Sequence, residues 1–204
     1  MNVILGIFSG VLLFTTLPNL FYVKDYLKGT PSEYTFFNNL VSATWLVKPI
    51  LGYFSDSFHP FHYRIKSYLI IMSSMMIICC YIVSILPESI TIFTIIVGLI
   101  YFSVGFVDTQ AEGLTAVITK MEARITELKR VAGREQEDIN SNENIGIFFM
   151  LRCMVRYCGI FAGGLLVDWG VSINIVYLIL GIFPILLIIY TIFFFEEIKV
   201  RRKI

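Results

Sequence analysis

Apolar residues in this chain fall in long blocks, not in the alternation of a half-buried strand or the narrow stripe of a surface helix. A helix that crosses the hydrocarbon core of a bilayer needs roughly 20 apolar residues. Six stretches reach that length, at about 2–23, 35–56, 68–87, 90–118, 145–167 and 173–195. Turn-forming or charged residues bound them: Lys24, Asp25, Lys28, Gly29 and Pro31 after the first, Asp56 to Lys66 with Pro60 after the second. Pro87-Glu88-Ser89 closes the third, and Asp168 to Ser172 with Gly170 closes the fifth. The one long polar connection, 120–143, reads as a charged helix from Lys120 to Arg130 running into Gly133 and an Asn-rich exit. The expected organisation is four membrane helices in 1–119, a charged linker at 120–144, two more helices in 145–195 and a basic tail at 196–204. The first stretch follows Met1 directly but has no small-residue cleavage site, and five more spans follow it. It is therefore expected to stay as a span and not to be removed as a signal peptide.

Composition agrees with a lipid environment. Of the 204 residues 57% are hydrophobic and 15% charged, against about half and about a quarter in a soluble domain. The placement of charge adds an orientation. Eleven Lys and Arg lie between spans two and three, between spans four and five, and in the tail, whereas only Lys24 and Lys28 lie in the opposite loops. The positive-inside rule puts both termini and the long loop in the cytoplasm or its topological equivalent. Cys79, Cys80, Cys153 and Cys158 sit in apolar runs without CxxC spacing and read as packing residues. His59 and His62 lack further ligands at metal spacing, so no metal is expected. No nucleophile–base pair, cofactor motif or phosphate loop points to an enzyme, and nothing points to nucleic acid.

Five ionisable residues lie inside spans: Lys48, Asp108, Glu112, Arg152 and Arg156. Unpaired in lipid, they would cost on the order of 15 kcal/mol together, so they must face protein or water. With a rise of 1.5 Å per residue, Glu112 and Arg152 lie roughly 10 Å deep, and Asp108 and Arg156 roughly 15 Å deep. Asp108/Glu112 and Arg152/Arg156 are each four apart, so each pair shares one helix face, and the faces are expected to oppose each other. Spans three and six carry no charge, which points to spans one, two, four and five around a polar interior with three and six on the lipid side. Two readings stay open: ion pairs that knit the bundle, or a polar solute or proton pathway. One Lys and two Arg against one Asp and one Glu leave a positive surplus that an anionic solute would complete. Gly159, Gly163 and Gly164 give span five a small-residue face for close packing, and Pro18 and Pro49 interrupt spans one and two. Gly52…Asp56 closes span two and Gly164…Asp168 closes span five with opposite topology, as inverted repeats would.

Trp45-Leu-Val-Lys48-Pro49-Ile-Leu-Gly52-Tyr-Phe-Ser55-Asp56, followed by Tyr63-Arg64-Ile-Lys66, resembles the signature of the folate-biopterin transporter family, a branch of the major facilitator superfamily. Phe21-Tyr22-Val-Lys24-Asp25, Val107-Asp108-Thr-Gln-Ala111-Glu112-Gly113 and the stretch from Arg156 into the following glycines are similar to further motifs of that family. The resemblance implies a six-helix bundle of major-facilitator type with a 3+3 inverted repeat, one half of a proton-coupled carrier for pterin- or folate-like anions. It also implies a pathway through Lys48, Asp108, Glu112, Arg152 and Arg156 and a gating loop of Gly52, Asp56, Arg64 and Lys66. The chain departs from the family pattern at His62, Ile65, Glu112 and Val117. Rocking of one bundle against another needs more than six helices. The expected partners, besides the bilayer, are thus a second six-helix half, a second copy or a larger membrane complex. The rival reading is a non-transporting structural subunit that keeps the transporter fold.

Overall fold

The computed structural model describes residues 12–58, 63, 65–85, 89–131 and 141–194, and these residues form helices and short connections only. The first helix is composite. A 3-10 turn at Leu12–Thr15 leads into α1, Thr16–Phe21, which widens into a π-turn at Tyr22–Tyr26. Then follow α2 (Pro31–Ser57), α3 (Lys66–Ile85), α4 (Ile90–Val131), α5 (Ser141–Asp168) and α6 (Ile173–Phe193).

Local chemistry explains several of the ends. α2 starts four residues earlier than its apolar run because Thr30 and Glu33 form a capping box and Pro31 occupies the first turn. The Thr30 backbone N–H donates to the Glu33 carboxylate at 2.8 Å, and the Glu33 N–H donates to Thr30 Oγ1 at 3.4 Å. The Thr30 backbone N–H and then the Thr30 hydroxyl, which donates to the same carboxylate at 2.9 Å, hold the Glu33 carboxyl below its ordinary pKa. At the far end of α2 the Tyr68 hydroxyl donates to the Phe58 carbonyl at 2.5 Å, which fixes the return into α3. The tight turn from α5 to α6 works because Gly170 takes φ +67°. Gly170 N–H bonds Val167 O and Val171 N–H bonds Leu166 O, the doubled closure that a left-handed glycine allows.

Four stretches among the described residues are long and apolar enough to cross a bilayer: Lys66–Ile85, Ile90–Met121, Phe149–Asp168 and Ile173–Phe193. The protein is an all-helical integral membrane protein. α2 has 27 residues, enough length for a crossing, but Glu33, Asn38, Asn39, Lys48 and Asp56 dilute its apolarity. Residues 2–11 of the first expected span lie outside the described residues. α4 runs as one helix of 42 residues straight past Lys120, because Met121, Glu122, Ala123 and Arg124 are good helix formers and nothing there breaks the ladder.

The packing differs from the expected ring of four inner helices. α3 and α6 pack against each other, and α3 packs on α4, so the two helices whose membrane spans carry no charge build much of the core. Leu69, Met76, Cys80 and Val83 of α3 meet Val176, Tyr177 and Leu180 of α6 around Phe93, Val97, Ile100 and Val104 of α4. The absence of charge suits them to a dry interior as much as to lipid, and each also keeps an exposed apolar side, such as Ile78 and Tyr81 on α3. Cys79 and Cys80 are buried, as packing residues should be, but Cys153 and Cys158 stand exposed on α5.

α1 lies against α5 and α6, and α4 packs on α2, α3 and α5. A β-carbon at position 163 would collide with the carbonyl oxygen of Phe14, so only glycine lets α1 approach. That carbonyl is free to lean on α5 because Pro18, four residues on, has no N–H to offer it. Asn19 and Tyr177 close the same corner: the Tyr177 hydroxyl donates to Asn19 Oδ1 at 2.8 Å in a buried contact.

Candidate functional site

α2, α4 and α5 converge on four charged side chains. α4 projects Asp108 and Glu112 from successive turns, α2 brings Lys48 and α5 brings Arg152. Lys48 Nζ bonds Asp108 Oδ2 and reaches Glu112 Oε1 at 3.1 Å. Arg152 donates from Nη2 to Asp108 Oδ2 at 2.5 Å and from Nη1 to Glu112 Oε1 at 2.7 Å. Each cation thus bridges both carboxylates, and the formal charges of the quartet cancel. Such closure is what makes charge tolerable away from water, because each desolvated ion has two opposite neighbours.

The expected pairing of Asp108 with Arg156 does not form. The spacing of Asp108 and Glu112 along α4 suits the two terminal nitrogens of one guanidinium, and Arg152 takes both. Arg156, one turn further along α5, makes no ion pair among the described residues, and its Nε is buried without a hydrogen-bond partner. Its guanidinium lies 5.5 Å from the ring centre of Trp45, and Lys48 Nζ lies 4.5 Å from the same ring. An aromatic face attracts cations, so Trp45 holds the two in place without neutralising either. The positive surplus that the sequence predicts therefore resides on Arg156. Trp45 itself drew attention only as a motif residue; its spacing of three before Lys48, which stacks the two on one face of α2, was the available signal.

Burial grades the quartet. The Asp108 side chain is fully buried, with Oδ1 unpartnered, and Arg152 is 6% exposed, whereas Glu112 is 38% exposed. Glu112 lines a cavity of about 420 Å³ between α2 and α4, together with Gly52, Ser55, Asp56, Gln110 and Val117. The Ser55 and Thr109 hydroxyls in its wall are committed to the backbone, at Gly52 O and Gly105 O.

The residues expected to form a gate are brought together only in part. Gly52 and Asp56 line the cavity. Lys66 donates to the Ile192 carbonyl at 3.3 Å, which ties the start of α3 to the end of α6. Arg64, His59 and His62 lie outside the described residues. No cluster of potential metal ligands occurs among the described residues.

Apolar helices that shelter a charge layer, with a cavity leading to it, define an integral membrane protein. A sequence model of the BT1 family matches residues 9–203, and the chain belongs to that family, the folate-biopterin transporters. The resemblance carried by the stretch from Trp45 to Lys66 is thereby borne out. Similar to part of the chain is the folate-biopterin transporter of Synechocystis sp., 39% identical over 61 residues, a stretch that is 30% of this chain and 12% of that protein. No solved structure matches the chain.

Proposed function

We propose that this chain is one six-helix half of a proton-coupled carrier for an anionic pterin- or folate-like solute, with the site between α2, α4 and α5. The observation that carries this reading is the neutral quartet with one surplus guanidinium beside it: Arg156 lies next to Trp45 with its charge uncompensated. An anion with a planar ring system matches both features, since a carboxylate suits the guanidinium and an aromatic ring suits the indole face. The cavity that reaches Glu112 supports access from one side of the membrane.

The pattern of helix contacts supports the six-span inverted repeat. Exchanging α1 with α4, α2 with α5 and α3 with α6 turns the α2–α4 contact into α5–α1 and the α3–α4 contact into α6–α1, and all of these occur. The α3–α6 contact maps onto itself. In this reading Gly52, Asp56, Arg64 and Lys66 form the gate, and a second bundle, from a copy, a partner or further chain, completes the pathway.

Uptake of radiolabelled folate into cells that produce the full chain tests the proposal. Arg156→Ala and Lys48→Ala are expected to lower uptake at least tenfold while the amount of protein in the membrane stays the same. Unchanged uptake in both variants overturns the site, and no uptake by the parent in cells that also hold its second bundle overturns carriage of folate.

A further inference from the structure

A carboxylate-bearing solute that enters the cavity finds the cations of the quartet already occupied. Lys48 and Arg152 both hold Glu112 Oε1 and Asp108 Oδ2. To bind there, the solute must replace one of the two carboxylates, and they are not equivalent. Asp108 is fully buried and is absent from the cavity wall. Glu112 is 38% exposed, lines the cavity, and has a side chain one methylene longer. Its bonds to Lys48 and Arg152 pass through a single oxygen, Oε1.

We infer that Glu112 is a built-in competitor for the anion site: its carboxylate occupies Lys48 and Arg152 until a proton neutralises it, and the solute carboxylate then takes its place. The inference rests on the proposed carriage of an anion and names the group that links it to protons. The groups around Glu112 support the direction. Lys48 from α2 and Arg152 from α5 are its partners, with Asp108 one turn back on α4 and Arg156 one turn beyond Arg152. Asp56 of α2 shares the cavity, and the chain leading into α3 contributes the apolar Ile65. A proton on Glu112 leaves Lys48 and Arg152 facing Asp108 alone, so the quartet becomes positive by one and Arg156 adds a second positive charge. The incoming carboxylate restores neutrality at the quartet, and one proton enters with each anion.

Binding of two probes to the purified full chain decides the matter. Folic acid carries carboxylates that titrate near pH ~4, so its own charge is constant from about pH 5.5 to 7, below the ionisation of the pterin ring amide that both probes share, and biopterin carries no carboxylate. Linkage to one proton strengthens folic acid binding by up to about tenfold for each pH unit of acidification. The parent should therefore bind folic acid far more tightly at the acidic end of this window and biopterin equally across it. Glu112→Gln, which keeps the size and loses the charge, should bind folic acid tightly throughout, within threefold across the range. Folic acid binding by Glu112→Gln that keeps the parent's pH dependence overturns the inference and leaves the proposed carrier intact. If neither probe binds the parent at any pH, the carrier reading falls and the inference with it. Should Glu112→Gln fail to fold, the parent still decides, because folic acid binding that is flat with pH, or biopterin binding that rises with folic acid, overturns the competition.

Discussion

Asp108 anchors the charge layer because its buried carboxylate oxygen Oδ2 serves Lys48 and Arg152 at once. Removing one member of a buried ion pair costs more than removing both, since the survivor keeps its desolvation penalty. Asp108→Asn should destabilise the solubilised protein by about 3 kcal/mol, and adding Arg152→Gln should recover part of the loss, as a thermal unfolding cycle would read. Strictly additive losses would show that the two are not coupled. The members of the quartet were legible in the sequence because charge inside an apolar run stands out. Their pairing was not, because rise per residue gives depth alone, and the choice of Arg152 over Arg156 depends on the rotation of α5 about its own axis.

Among the elements, the α1–α5 contact turns on a single absent side chain. Gly163→Val should cost about 2–3 kcal/mol in thermal stability, because the obstacle is the Phe14 backbone. Gly164→Ala should cost less than about 1 kcal/mol, because its neighbour at 3.2 Å is the flexible end of Leu17. Equal losses at the two sites would refute this account. The glycines of span five announced close packing in the sequence, and that much was readable. The π-turn at Tyr22–Tyr26 was not, since a widened turn leaves no residue pattern of its own and is held by its surroundings: Tyr22 stacks on Tyr26 and packs on Phe93. The charged helix read from Lys120 to Arg130 is there, and it is continuous with span four. A change from apolar to charged residues marks the edge of the membrane, but the helix ladder is indifferent to it.

For the molecule as a whole, α2 and α5 are two-faced. Each turns its charge inward and presents an apolar stripe on the other side: Leu46, Ile50 and Tyr53 on α2, Met150, Met154, Tyr157 and Phe161 on α5, all exposed. Under the proposed function these flanking helices meet the second bundle. The native mass of the gently extracted particle is expected to be at least twice that of the chain, and a monodisperse single chain would count against it. The length of α4 has a mechanical consequence. From Glu112 to Val131 the helix continues without a break, a shaft of roughly 28 Å. A tilt of about 10° at the charge layer would swing the tip of that shaft by about 5 Å, so a change in who holds Lys48 and Arg152 would be felt well outside the bilayer as leverage.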